Sequence, residues 1–135
     1  MTLSRIAEFI LIVIFSLLII FHVLILTSVI PYDIVWGSRL SSHEDMITFE
    51  AISLSLNGAF LWIILMHAQF IKPVLSSKVS RVLLWVMMGL FILNTLGNLV
   101  SENDFEKVAF TPVTILLSIC LFLLAKTKKH STATN

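Results

Sequence analysis

The stretch from Phe9 to Ile30, FILIVIFSLLIIFHVLILTSVI, runs for 22 residues without a single charge. A bilayer core about 30 Å thick is crossed by about 20 apolar helical residues. Three more such runs follow. Met46 to Ile71 carries one charge, Glu50, near its start; Val82 to Val100 and Val108 to Ala125 carry none. Backbone polar groups in hydrocarbon must be satisfied within the segment, which makes each run a helix. The runs are uniformly apolar and too long for barrel strands, which alternate over about ten residues.

Together the four runs take 85 of the 135 residues, leaving no room for a separate soluble domain. Hydrophobic residues reach 58% and charged ones only 13%. A soluble globule this small cannot hide that much apolar surface. The composition excludes a soluble enzyme, a disordered tail, a disulfide scaffold and a nucleic-acid binder. The first run exceeds the apolar core of a signal peptide, and no small-residue cleavage site follows it, so it reads as a retained helix. The expected fold is all-α: a polytopic membrane protein, one domain over residues 1–135. Its four-helix transmembrane bundle runs antiparallel, up-down-up-down, with helices at about 5–30, 43–71, 79–100 and 104–126.

Basic residues set the expected orientation. Arg5, Lys72, Lys78, Arg81, Lys126, Lys128 and Lys129 fall on one side, and only Arg39 and Lys107 on the other. The positive-inside bias then places both termini in the cytoplasm of a multi-pass protein of the cell membrane. The terminal KTKKH reads as a stop signal in contact with anionic lipid.

Local signals mark the helix ends. Ser41 with Glu44, or Ser42 with Asp45, forms a capping box for the second helix. Ser77 or Ser80 caps the third. In the fourth, Asn103 or Asp104 caps a helix that runs through Pro112 with a kink. Alternatively, Thr111 is the cap and Pro112 the first helical residue. The through-running helix is the favoured reading, because the other leaves too short a span.

Polar residues inside apolar helices are costly and face the bundle interior. Glu50, Ser53 and Asn57 recur at i, i+3, i+7, within about 60° of one another on the helical wheel. Thr111, Thr114 and Ser118 repeat that spacing, and Asn94 and Asn98 are one turn apart. By helical rise, Glu50 to Asn57, Asn94, Asn98, Thr111 and Thr114 all lie within roughly 16 Å of the outer surface. Such stripes can simply hydrogen-bond helices together. They can also line an outward-facing pocket in which Glu50 exchanges protons or binds a cation. His22 is read as an interhelical hydrogen-bonder, with the Glu50 layer as one place it can face. Trp36 and Arg39 close over that pocket, bind an anionic group, or simply anchor at headgroups. Ala51, Ser55 and Ala59, with Gly58 beside them, form a small-residue face. It reads as the seat of another helix of the chain, with a dimer seam as the alternative.

No cofactor or metal is expected. His22 and His67 lie at heights about 12 Å apart, which excludes a haem held by both within one chain. Cys120 is alone, no metal-ligand cluster appears, and no nucleophile–base pair marks an enzyme. The expected partners are the lipid bilayer and a second copy or another membrane protein, with no nucleic acid. Two functions compete: handling of a small solute or ion at an outward-facing polar site, or an accessory role packing against a partner.

Overall fold

The computed structural model describes residues 1–36 and 40–127. Among these, four helices carry the fold: α1, Leu3–Leu26; α2, His43–His67; α3, Ser77–Leu99; and α4, Thr111–Lys126. A π-helical turn, Glu106–Phe110, leads into α4, and a short 3₁₀ turn, Tyr32–Ile34, lies between α1 and α2. Counted with its π turn, α4 joins the other three as a helix long and apolar enough to cross a bilayer. The outer surface is apolar too: Leu17, Ile20, Val86, Leu93, Leu96 and Ile119 all face outward.

The helix starts are fixed by side-chain caps. Thr2 Oγ1 accepts from Arg5 N, Ser42 Oγ from Asp45 N, and Ser76 Oγ from Val79 N. The cap of α3 is therefore Ser76 rather than the expected Ser77 or Ser80. Asn103 Oδ1 accepts from Phe105 N and Glu106 N, so it caps the helical stretch that leads into the π turn. Each cap satisfies donors that have no partner within the helix, for about 1 kcal/mol.

Two helices end earlier than their apolar runs. α1 stops at Leu26 rather than Ile30, and α2 at His67 rather than Ile71. In both, a non-glycine residue takes a left-handed backbone: Ser28 at φ 59° and Gln69 at φ 65°. Val29 N then donates to Leu24 O and Ser28 N to Ile25 O; Phe70 N donates to Leu65 O and Gln69 N to Met66 O. This paired closure is the Schellman pattern, and it turns the chain while apolar residues remain.

α4 settles the alternative at Pro112. Thr111 is helical, at φ −56° and ψ −52°, and does not act as an N-cap. The helix runs through, and the irregularity lies before the proline as the π turn. Proline has no N–H, and its ring crowds the carbonyl four residues back, here that of Val108. A wider turn relieves that crowding.

α1 packs against α2 and α4, and α4 against α3, while α2 and α3 meet much less. Side chains fix the directions. Glu8 and His22 of α1 meet His67 and Glu50 of α2. Thr95 and Trp85 of α3 meet Thr114 and Phe122 of α4. Both pairs are antiparallel. The main core gathers Leu11, Phe15, Ile64, Leu84, Leu117 and Leu121. At its edge three rings close on one another: Phe15–Phe60 at 5.9 Å, Phe15–Phe91 at 5.7 Å and Phe60–Phe91 at 5.9 Å. Phe60 and Phe91 thus join α2 to α3. The small-residue face of α2 takes no part in this packing. Ala51, Ser55 and Ala59 are exposed and nothing approaches Gly58, so among the described residues no other helix occupies the seat expected there.

Candidate functional site

Glu50 is fully buried, at 0% exposure, one full turn and more inside α2. Both its oxygens are held. His22 Nδ1 of α1 lies 2.6 Å from Oε2, and Trp36 Nε1 donates to Oε1 at 2.7 Å. Trp36 reaches in because the 3₁₀ turn folds the chain back, with Val35 buried and Trp36 packed on Phe49 at 5.0 Å. An isolated carboxylate in such surroundings would be prohibitively costly; two hydrogen bonds and an ionisable partner make it tolerable.

This trio forms one wall of a cavity of about 320 Å³. From α2 it takes Ser53, Asn57 and Phe60; from α3, Phe91, Asn94 and Asn98; from the π turn and α4, Glu106, Phe110 and Thr114. The lining is mostly apolar, with a few convergent polar groups, as in small-molecule sites of 300–1,000 Å³. Asn57 Nδ2 donates to Ser53 O at 2.8 Å, but its Oδ1 is buried without a partner. Asn98 Nδ2 is likewise buried and unpartnered. One acceptor and one donor are therefore left unused in the lining, against the rule that buried polar groups are paired.

The residues expected from sequence divide as follows. His22, Trp36, Glu50, Ser53, Asn57, Asn94, Asn98 and Thr114 share the cavity. Thr114 also has a packing role: its hydroxyl lies 2.8 Å from that of Thr95, joining α4 to α3. Thr111 is buried but does not line the cavity, and its hydroxyl has no partner. The π turn sets the rotation of the residues before it relative to those after, so Glu106 and Phe110 reach the cavity instead. Arg39 lies outside the described residues.

Glu106 and four aromatic rings, Phe21, Phe60, Phe91 and Phe110, were not expected in the lining. Glu106 Oε2 accepts from Ser101 Oγ at 2.6 Å. A second buried carboxylate was also missed. Glu8, 3% exposed, meets His67 Nδ1 at 3.0 Å and Arg5 Nη1 at 3.2 Å, and Arg5 also donates to Ala68 O. A signal was present: 14 residues separate Glu8 from His22 and 17 separate Glu50 from His67, so antiparallel helices bring both pairs level. Each histidine is thereby committed to a carboxylate. Among the described residues no three His, Cys, Asp or Glu side chains converge as metal ligands do.

No protein-family model, no curated protein and no solved structure matches this chain.

Proposed function

We propose that this is an integral membrane protein, with both termini cytoplasmic, whose cavity binds a small and mainly apolar solute through one or two hydrogen bonds. Four apolar helices and seven basic residues against two support the membrane and its orientation. The observation that carries the binding reading is the pair of unpartnered atoms, Asn57 Oδ1 and Asn98 Nδ2, on two different helices around one cavity. Packing alone would leave such groups paired or replaced. Both oxygens of Glu50 are already engaged, which favours an uncharged solute over a bare cation. Passage of that solute across the bilayer is the transport form of the same reading.

The test uses Trp36 as reporter, in protein carrying Trp62→Phe and Trp85→Phe. Both of those tryptophans are exposed. Titrated with 4-bromo-1-naphthol in detergent, Trp36 emission should be quenched saturably, with half-saturation rising tenfold or more in Asn57→Leu and Asn98→Leu. Quenching that grows linearly and without saturation would overturn the reading. The competing function, an accessory protein packing against a partner, is favoured by the exposed Ala51, Ser55 and Ala59 face. Under it Ala59→Leu should abolish association with a partner, and both carboxamide substitutions should be silent.

A further inference from the structure

We propose that the cavity opens sideways between α2 and α3. Through this opening it takes the uncharged head of a membrane-dissolved amphiphile whose alkyl tail remains among the lipid chains. The inference rests on the binding reading above and names its ligand class and route.

α2 and α3 pack far less closely than α1 and α2, α1 and α4, or α3 and α4, and Phe60 against Phe91 is the ring contact that joins them. Beside that contact, three residues line the cavity and also face the exterior: Leu56 at 48% exposure, Leu90 at 45%, and Asn94. A residue that belongs to both surfaces marks an opening. Leu90 and Asn94 lie nine and five residues before Leu99, the end of α3. At helical rise that is about 14 and 8 Å from the end. In a membrane-spanning helix this is hydrocarbon depth, below the headgroups.

The chemistry of the opening matches its depth. Leu56 and Leu90 present an apolar rim that an alkyl chain can cross without desolvation cost. Asn94 beside them is a carboxamide exposed where polar groups are expensive, unless something polar lies against it. Further in, Asn98 Nδ2 offers a donor and Asn57 Oδ1 an acceptor. A group that serves both must itself accept and donate, as a hydroxyl or a primary amide does. A formal charge on the head is disfavoured, because both carboxylates of the lining, Glu50 and Glu106, already have partners. The volume suits a ring or short head, and leaves the rest of a long chain outside.

The experiment compares two probes in nanodiscs, again with Trp36 as the only tryptophan. One is 4-bromo-1-naphthol. The other keeps that ring and its free hydroxyl and adds a hexadecyl ether at a second ring position, too long for the cavity, so that it binds only if its tail can leave between the helices. Lateral opening predicts saturable quenching by both. Leu56→Phe with Leu90→Phe, which narrows the proposed opening, should raise half-saturation at least tenfold more for the tailed probe than for 4-bromo-1-naphthol. Saturation by the short probe alone would overturn the lateral route while the binding reading stands. Tailed-probe binding unaffected by the two phenylalanines would also overturn it. Saturation by neither probe would overturn both.

Discussion

His67 stands to Glu8 as His22 stands to Glu50: each α1–α2 pair couples one buried carboxylate to one imidazole, and the helix that supplies the carboxylate is exchanged between the two ends. The hairpin is therefore held at both ends by the same chemistry, with an apolar core between. Only the Glu50 end adjoins the cavity.

Removing Glu50 should be the most damaging single change at the cavity. Glu50→Ala strands the His22 ring and the Trp36 N–H in a buried site, which should cost about 3–5 kcal/mol. Denaturation in detergent micelles should show it, with Glu50→Gln retaining most of the stability because the amide oxygen still accepts. His22→Ala added to Glu50→Ala should cost much less than on its own, since residues in one network do not act independently.

Glu8→Ala should lower stability by a similar amount and leave half-saturation for 4-bromo-1-naphthol within twofold. Glu8 lies about 21 Å along α1 from His22, so the losses from Glu8→Ala and Glu50→Ala should add. Arg5→Ala should change stability by about 1 kcal/mol or less, because Arg5 is 52% exposed. A loss of probe binding in Glu8→Ala would contradict the separation of the two ends.

Much of the site can be read from spacing. Glu50, Ser53 and Asn57 recur with the helical period, and Asn94 and Asn98 lie at matching depth; these residues do share the cavity. What spacing cannot supply is helix rotation and chain reversal. His22 reaches Glu50 because packing sets the rotation of α1. Trp36 does so because a 3₁₀ turn folds the connection inward. The ends of α1 and α2 were misplaced because Ser28 and Gln69 adopt a conformation usually marked by glycine. Glu106 was missed because it lies in the π turn, outside the regular 3.6-residue period, whereas Thr111, one turn before Thr114 in α4, is buried without lining the cavity.

Gln69→Gly should raise stability by up to about 1 kcal/mol, since a non-glycine residue pays a steric cost in the left-handed region. Gln69→Val, branched at Cβ, should lower it. Thermal unfolding of the two variants checks the ordering; equal stabilities would contradict the strained C-cap of α2.

Topology can be tested with single cysteines in Cys120→Ala protein, the native thiol being buried. A membrane-impermeant maleimide applied to intact cells should label Ser41→Cys and miss Ser77→Cys. The reverse pattern would invert the orientation and place the cavity at the cytoplasmic end.

A π turn is an α-helical turn with one residue too many. The turn at Glu106–Phe110 joins two α-helical stretches, Asp104–Phe105 before it and Thr111–Lys126 after it. Loss or gain of one codon there would rotate everything on one side by about 100° and leave the other side in place. The part of the cavity wall supplied by Glu106 can thus be installed or erased by a single insertion or deletion, without touching the Glu50–His22 pair. Homologues differing by one residue in this turn would share the bundle and its buried carboxylates, yet differ in what the cavity admits.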